Sequence, residues 1–284
     1  MELDGKVAVI TGGSTGIGRA TAAAFAQRNM KLVLASRRAD RLQAAVDELL
    51  QDGAEVIGVA ADIADADDVQ RLADRAFDTF GRVDVAFLNA GAPSGDRLLD
   101  PNVDVWRVAV DVNILGLVHC LRAFVPRMVA QGGDAAVLAT TSGAGIHGTA
   151  YATAPYAATK AAQLSIMESL YGQARDEGLD LHVGVVVPPL TRTNLAGDDL
   201  SIWEHVAAGL AEHGLPAAVI EPEAVAAVVV EGLERKSFWI EADLEQSERL
   251  YEGRNRANIE RVHEIIRAKA DAMIDHQPPD SYLW

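Results

Sequence analysis

The sequence predicts an α/β fold: a doubly wound parallel sheet of seven strands with helices on both faces. Short β-branched runs alternate strictly with longer helical stretches, and these runs are almost continuously apolar. Continuous apolar runs are typical of strands that are covered on both faces. Strict alternation implies right-handed crossovers between parallel strands of one sheet. A chain of 284 residues is long enough for one large α/β domain of this kind.

Each predicted strand is one of the apolar runs: Lys6–Ile10, Lys31–Ala35, Glu55–Ala60, Val83–Leu88, Ala135–Thr140, Leu181–Val187 and Ser237–Ile240. The predicted helices lie between them: Ile17–Arg28, Asp40–Gln51, Asp67–Phe80, Val103–Ala130, Pro155–Glu177 and Pro222–Arg235. Pro222 suits the start of the last helix, because proline is favoured in a first turn. The main domain is expected to span residues 1–242.

Two segments lie outside this alternation. The first, residues 196–215, is apolar at helical spacing, a pattern that fits either packing or a lid over a site. The apolar residues after Thr193 are Leu195, Ile202, Trp203, Val206 and Leu210. We predict a helical substrate lid there, because Gly197 and Gly209 flank the segment. The second, the tail of residues 243–284, is rich in Glu, Arg and Ala and predicts a helical C-terminal extension.

Charge and composition exclude several classes of function. A formal net charge of −16 argues against a nucleic-acid partner, whose phosphates would be repelled. An anionic cofactor is still compatible, because helix ends and arginines act locally. No apolar run approaches the roughly 20 residues of a membrane span, and no signal peptide is visible. Cys120, the one cysteine, cannot form an internal disulfide. We therefore expect a cytoplasmic enzyme without a membrane partner.

A glycine-rich loop, Thr11–Gly18, follows the first strand directly and opens the first helix. This is the context that a dinucleotide-binding site requires. Gly12, Gly16 and Gly18 leave room for the turn, for backbone approach to a pyrophosphate and for helix packing. The helix that begins at Ile17 would present its free N–H groups to the phosphates. A tight turn without a ligand is the alternative interpretation.

The ends of the second and third strands carry the residues that would distinguish the cofactors. Ser36 stands where an NAD enzyme places an acidic residue, and Arg37 and Arg38 follow it. Guanidinium groups can hold a 2′-phosphate, so NADP(H) is the preferred prediction, with NAD(H) possible. A solvated helix start is the alternative for the two arginines. Asp62, with Ile63, could receive the adenine amino group or could cap a helix.

Tyr156 and Lys160 point to proton-transfer chemistry. Positions i and i+4 share one face of a helix, so the phenol and the ammonium should face the same space. A nearby cation favours the phenolate and would lower the pKa of the tyrosine from its ordinary value of about 10. Such a tyrosine can exchange a proton with an alcohol near neutral pH. Ser142 lies upstream, at the end of the fifth predicted strand.

Taken together, these motifs resemble those of the short-chain dehydrogenase/reductase family in its single-domain form, with a Rossmann-like fold. The motifs are TGGSTGIG (Thr11–Gly18), NAG (Asn89–Gly91), VNILG around Asn113, TTSGAG around Ser142 and YAATK (Tyr156–Lys160). The resemblance covers residues 4 to 240. The five motifs occur in the family's order and at its separations, which makes the match specific.

The resemblance implies a role for each catalytic residue. Tyr156 would be the general acid in carbonyl reduction and the base in alcohol oxidation, and Ser142 would orient the substrate oxygen. Lys160 would hold the nicotinamide ribose hydroxyls and depress the pKa of Tyr156. Asn113 would bend its helix locally and fix a water that links Lys160 to solvent. The further cofactor residues that it implies are Ser14, Thr15, Asn89, Ala90, Gly91, Tyr156, Pro188, Thr191 and Thr193.

One stretch departs from the family's pattern. After the sixth strand the family has Pro-Gly, whereas this chain has Pro188 and Pro189. Proline at the second position fixes φ near −65° and removes a backbone donor. Thr191 would still offer its main chain to the carboxamide of the cofactor, and Thr193 would offer its hydroxyl.

The expected substrate is a small-molecule ketone or alcohol. Substrate contacts are predicted from Gly143, His147, Tyr151 and Trp203. Weaker similarities, among them Pro126–Met128 and His213–Leu215, favour the bacterial reductases and Cα-dehydrogenases of bulky aryl alcohols. A 3-oxoacyl-carrier-protein reductase and a silent dinucleotide-binding regulator are the alternatives. No metal-ligand spacing occurs, so no metal is predicted. A homodimer or homotetramer is expected from the apolar faces of two long helices.

Overall fold

The computed structural model describes residues 1–96, 98–147, 153–212 and 218–241. These residues contain one parallel sheet of seven strands in the order β3-β2-β1-β4-β5-β6-β7. The strands are β1 Val7–Thr11, β2 Lys31–Ser36, β3 Val56–Ala60, β4 Val85–Leu88, β5 Ala135–Thr140, β6 Leu181–Val187 and β7 Trp239–Glu241. The strand order reverses between β1 and β4, the point at which doubly wound sheets open a ligand cleft. The predicted fold class is confirmed.

The helices occupy both faces of the sheet. They are α1 Gly16–Ala26, α2 Ala39–Gln51, α3 Ala66–Phe80, α4 Val103–Val110, α5 Gly116–Ala130, α6 Ala144–His147, α7 Ala154–Asp176, α8 Ile202–Glu212 and α9 Pro222–Arg235. A π-helical segment, Asp111–Leu115, joins α4 to α5, and a 3₁₀ turn, Asn194–Ala196, precedes α8. Together these elements enclose two apolar cores, one on each face of the sheet.

Alternate residues of each strand point to opposite faces of the sheet and pack into the two cores in turn. On one face Val9 packs with Leu72 of α3, Phe124 of α5 and Met167 of α7. On the other, Ile10 packs in the core that contains side chains of α1, α2 and α9, such as Phe25, Leu49 and Leu233. Burying one such side chain stabilises a fold by roughly 1.5–3 kcal/mol. This two-sided burial explains why the strand sequences are continuously apolar.

Several predicted boundaries differ from those in the structure. Helix α1 ends at Ala26, because the chain turns through a left-handed residue at Asn29, with φ of 60°. The single helix predicted over Val103–Ala130 is divided by the π-helical segment. The short helix α6 was not predicted, and its first residue, Ala144, donates its N–H to the Ser142 hydroxyl at 3.2 Å. The predicted C-terminal extension, residues 243–284, lies outside the described residues.

The segment Val103–Ala130 is long and apolar enough to cross a membrane when judged by length and composition alone. In this fold, however, Cys120, Phe124 and Met128 bury one of its faces against the sheet. A core helix meets the same criterion, so a single such segment is weak evidence for a membrane span.

Candidate active site

A cleft opens at the carboxyl ends of strands β1 to β6. It is lined by Gly12, Ser14, Thr15, Gly16, Ile17, Ser36, Arg37, Arg38, Arg41, Asp62, Ile63, Asn89, Ala90, Gly91, Thr140, Thr141, Tyr156, Lys160, Pro188, Thr193, Asn194 and Leu195, among others. Most of the predicted cofactor residues thus face one space. Gly18 and Thr191, by contrast, do not line the cleft.

The glycine loop has the shape that a phosphate cradle needs. Gly16 has a φ of +52°, a conformation that side chains with a Cβ rarely adopt. A Cβ on Gly18 would lie 2.3 Å from the carbonyl oxygen of Gly12, so this glycine lets α1 approach the loop. The first N–H groups of α1 lack helical partners of their own and can receive an anion. The predicted role of Gly18 in helix packing agrees with this contact.

Asn89 fixes the wall of the cleft after β4. Its side-chain amide donates to the Thr11 carbonyl at 3.2 Å, and its amide oxygen accepts from the Thr140 hydroxyl at 3.0 Å. The N–H of Ala90 donates to the Thr11 hydroxyl at 3.1 Å. Strands β1, β4 and β5 are therefore joined by side chains at the point where the cleft opens.

The arginines after β2 lie at the far end of the cleft, each near a carboxylate. Arg38 makes a bidentate contact with Asp40, at 3.0 Å from Nε and 2.9 Å from Nη2. Arg38 is also the N-cap residue of α2. Its backbone therefore fits the alternative interpretation, in which the two arginines form a solvated helix start. A nitrogen of Arg37 lies 3.8 Å from Asp62.

Arg41 is a third guanidinium in this part of the cleft, and sequence reasoning missed it. It makes two contacts with Asp198, at 2.9 and 2.8 Å, in the segment that precedes α8. Because Arg41 follows Arg38 by about one helical turn, the sequence could have indicated that the two side chains lie close together. The Ser14 hydroxyl donates to the Ser36 hydroxyl at 2.8 Å beside these arginines.

Asp62 does not cap a helix. Its carboxylate accepts from the N–H of Ala64 at 3.0 Å, which closes a local turn. The N-cap of α3 is Asp65, which accepts from Asp67 and Asp68. The capping interpretation of Asp62 is therefore wrong, while its contact with an adenine stays a prediction. Ile63 is buried in the lining beside it.

Tyr156 and Lys160 lie in the first two turns of α7. The Lys160 Nζ lies 5.6 Å from the centre of the Tyr156 ring. The Ser142 hydroxyl lies near enough to the phenol to lower the pKa of Tyr156. The structure thus brings together three of the predicted catalytic residues.

The pKa of Tyr156 differs from the expectation. Burial raises the pKa of Tyr156 above its ordinary value, and the nearby Ser142 hydroxyl opposes that shift only in part. Lys160 was expected to lower it, but burial lowers the pKa of Lys160 itself to about 7. Burial thus weakens the positive field that Lys160 was expected to exert on the phenol. Helical spacing indicated the shared face correctly but could not indicate the loss of solvent.

Asn113 lies within the π-helical segment, which agrees with the predicted local bend. Its side-chain amide donates to the Ala92 carbonyl and to the Thr159 hydroxyl, both at 3.0 Å. Its main-chain carbonyl accepts from Gln163 Nε2 at 2.7 Å. The water that Asn113 was expected to fix stays a prediction. Gln163 was not predicted as a site residue.

The segment after β6 closes one side of the cleft. Trp203, predicted to contact substrate, donates its indole N–H to the Thr193 carbonyl at 2.8 Å and so anchors α8. Thr191 is buried, and its hydroxyl donates to the Pro189 carbonyl at 2.9 Å. Arg192 contacts both Glu204 of α8 and Glu221. These contacts hold the predicted lid against the body of the domain.

The other predicted substrate residues lie around α6. Gly143 accepts from the N–H of Ile146 at 2.9 Å, in the turn that begins this helix. His147 is the last residue of α6, and Tyr151 lies outside the described residues. Within the described part of the chain, no group of three or more His, Cys, Asp or Glu residues could hold a metal ion.

Residues 6–205 match the family model of the short chain dehydrogenases. The chain belongs to the short-chain dehydrogenase/reductase family. Among the relatives of this dehydrogenase, a 1-deoxy-11-beta-hydroxypentalenate dehydrogenase of Streptomyces exfoliatus is 37% identical over 225 residues. The match covers 74% of this chain and 79% of that protein.

Solved structures agree with the assignment of this chain to the family. A short chain dehydrogenase/reductase of Burkholderia phymatum in complex with NAD has a TM-score of 0.79 and 32% identity, covering 88% of this chain and 93% of its own. One of Burkholderia cenocepacia J2315 in complex with NADP has a TM-score of 0.74 and 27% identity, covering 85% and 96%. This short-chain dehydrogenase is therefore an oxidoreductase that uses a nicotinamide dinucleotide. The glycine cradle and the wall at Asn89 fit such a cofactor.

Proposed function

We propose that this protein is an NADP(H)-dependent oxidoreductase that interconverts a ketone and a secondary alcohol on a bulky apolar or aromatic substrate. One observation carries the proposal: the Tyr156 hydroxyl, the nearby Ser142 hydroxyl and buried Lys160 lie together at the edge of a dinucleotide cleft. A hydroxyl pair of this kind can bind a substrate oxygen and exchange a proton with it.

Each group has a distinct task in this reaction. Ser142 donates to the substrate oxygen and turns it toward Tyr156. Because burial raises the pKa of Tyr156, the phenol keeps its proton at neutral pH and suits the role of acid in ketone reduction. The glycine loop, Asn89 and Lys160 would hold the cofactor, which supplies or accepts the hydride when bound. Alcohol oxidation requires the phenolate and is therefore favoured at alkaline pH.

Three guanidinium groups support the preference for NADP(H). Arg37, Arg38 and Arg41 all line the cleft after β2, and Ser36 offers a hydroxyl in place of a carboxylate. Arginines match the geometry and charge of a phosphate, whereas an acidic residue at this place would repel it. The carboxylates that now contact these arginines, Asp40, Asp62 and Asp198, are exposed to solvent, so a phosphate could replace them as partners.

An apolar substrate is supported by the segment that follows the cleft. Leu195 lines the cleft, and α8 exposes Ile202 and Val206 one turn apart on the same face. Exposed apolar side chains on a helix beside an active site suit contact with an apolar ligand. The hydroxypentalenate dehydrogenase among the relatives acts, as its name states, on a hydroxylated compound.

Self-association as a homodimer or homotetramer is part of the proposal. The helices α4 and α5 and the π-helical segment expose Val108, Leu115 and Val118 on the face directed away from the sheet. Such rows of exposed apolar side chains are typical of protein interfaces. Sedimentation equilibrium of the purified protein should give two or four times its mass of 30.2 kDa, and Val118→Glu should lower that value. A wild-type monomer would contradict this part.

The catalytic proposal is tested by measuring oxidation of NADPH and NADH in parallel with a panel of ketones. The panel contains aryl ketones, polycyclic ketones, acetone and a 3-oxoacyl thioester. We expect turnover of the bulky ketones and at least about 10-fold higher kcat/KM for NADPH, the effect of one charge-assisted hydrogen bond. Turnover of the thioester alone would support the reductase of acyl carriers instead.

A matched pair of variants separates cofactor preference from general damage to the cleft. Arg41→Ala should raise the KM for NADPH and leave the KM for NADH close to the wild-type value, because only NADPH carries the 2′-phosphate. Arg107→Ala, which removes an exposed guanidinium on α4 outside the cleft, is the control. Equal losses with both cofactors in Arg41→Ala would show that Arg41 has no part in selecting the cofactor.

A further inference from the structure

We propose that Gln163 is a positioning residue, which orients the Lys160 ammonium by bridging it to the Asn113 carbonyl. The inference rests on the proposed function, in which Lys160 acts beside Tyr156. It adds to that site a residue that contacts neither the cleft nor the Tyr156 hydroxyl.

The geometry is a chain of three buried hydrogen bonds. Lys160 Nζ donates to the Thr140 carbonyl at 2.8 Å and to Gln163 Oε1 at 2.9 Å. Gln163 Nε2 then donates to the Asn113 carbonyl at 2.7 Å. Lys160 and Gln163 are each 3% exposed, and Asn113 is fully buried. An ammonium has three N–H donors, so two are used here and one is left to face the cleft.

The π-helical segment provides the acceptor at the far end of this chain. Within it the Gly116 N–H donates to the Asp111 carbonyl, five residues back, so the backbone bonding is shifted from the regular helical register. The Asn113 carbonyl lies inside the shifted stretch and accepts from a side chain on another helix. The same stretch holds the Asn113 side chain on Ala92 and Thr159.

An amide differs from a water in two respects at this place. Its oxygen and its nitrogen are distinct, so the bonds to Lys160 and Asn113 are both satisfied in only one orientation. The carbonyl dipole of Gln163 therefore points permanently at the ammonium and favours its charged form against burial. A water can also accept and pass on a proton, which a carboxamide does not do at neutral pH. Gln163 thus favours the charged form of Lys160 and stands between its Nζ and the Asn113 carbonyl.

Two variants distinguish positioning from packing because they predict opposite orders. Gln163→Met keeps the volume but removes both hydrogen bonds, and we expect about 10- to 100-fold lower kcat, the effect of losing a bond to a charged group. Gln163→Ala leaves space that a water can fill, and a bridging water nearly replaces a direct bond, so kcat should stay within about 5-fold. In order of decreasing kcat, the proteins should then be the wild type, Gln163→Ala and Gln163→Met.

If Gln163 only filled space in the core, the two variants would have the opposite order of activity. A volume-conserving exchange in a core costs less stability than a cavity, so the order would be Gln, Met, Ala in activity as well as in stability. Met167, fully buried one turn further along α7, provides the control. Met167→Ala makes a cavity of comparable size without contacting Lys160. It should lower the Tm with little effect on kcat.

Two measurements do not depend on turnover. The Kd for NADPH, measured by quenching of tryptophan fluorescence, should rise in Gln163→Met and stay near the wild-type value in Gln163→Ala. A crystal structure of Gln163→Ala should show a water between Lys160 Nζ and the Asn113 oxygen. Wild-type Kd and kcat in Gln163→Met would overturn the inference, as would an activity order that follows Tm. If Tyr156→Phe keeps full activity, the proposed function fails instead, and the Kd and the bound water still test Gln163.

Discussion

Tyr156→Phe should lower kcat for ketone reduction by about 10²- to 10⁴-fold, the range that one positioned general acid contributes. The change removes the hydroxyl that lies near Ser142 and leaves the ring in its half-buried place. The phenol is the proton donor in the proposed reaction, and Ser142 alone would have to give up a far more tightly held proton. The Kd for NADPH should change little, because the glycine loop, Asn89 and Lys160 are intact.

Tyr171→Phe is the matched control for this measurement. It removes a hydroxyl from the same helix, where that hydroxyl accepts from Arg175 at 2.9 Å on the exposed side. Its kcat should equal that of the wild type. Comparable losses in the two variants would mean that Tyr156→Phe acts through the helix and not through proton transfer. Full activity of Tyr156→Phe would contradict the mechanism.

Lys160→Met should lower activity and also change how stability depends on pH. The pKa of Lys160 is about 7 in the folded protein and 10.5 in its ordinary, exposed state. Between these values the unfolded chain binds a proton that the folded protein does not. The free energy of unfolding of the wild type must therefore rise with pH in this window, by at most about 1.4 kcal/mol per pH unit.

The variant lacks this contribution. From pH 7 to pH 9 the wild type should gain about 2 kcal/mol in unfolding free energy relative to Lys160→Met. Below pH 7 both states of the wild type hold the proton and the difference becomes constant. Urea denaturation at pH 6, 7, 8 and 9 measures it, with Tyr156→Phe as the control that keeps the lysine. Parallel curves for the wild type and Lys160→Met would show that the amine is not destabilised by burial.

The sheet and the cofactor loop were predictable because their signals are local. A strand reveals itself by a few consecutive apolar residues, and the loop Thr11–Gly18 is contiguous in the chain. The short helix α6 was missed because it is a single turn of four residues. The π-helical segment was missed because it depends on shifted backbone hydrogen bonds that leave no mark on periodicity. The predicted direction of the pKa shift at Tyr156 was wrong. Burial raises this pKa, and burial depends on the whole fold rather than on spacing along one helix.

The missed site residues depend on contacts between distant parts of the chain. Gln163 meets Asn113 across 50 residues, and on a helix the sequence alone suggests a solvated side chain. Arg41 meets Asp198 across 157 residues. Neither contact follows from spacing. What could have been noticed is a polar residue at an otherwise apolar position, and a third arginine one turn after the second.

The contacts of Asn89 have a practical consequence. This side chain joins Thr11 to Thr140, so the dinucleotide cleft exists only while the middle of the sheet is assembled. By mass action, any dinucleotide that enters it favours the native chain, by about 2.7 kcal/mol at a hundred times its dissociation constant. The shift of the melting curve with ligand concentration therefore ranks the two phosphorylation states of the coenzyme before a single substrate has been identified.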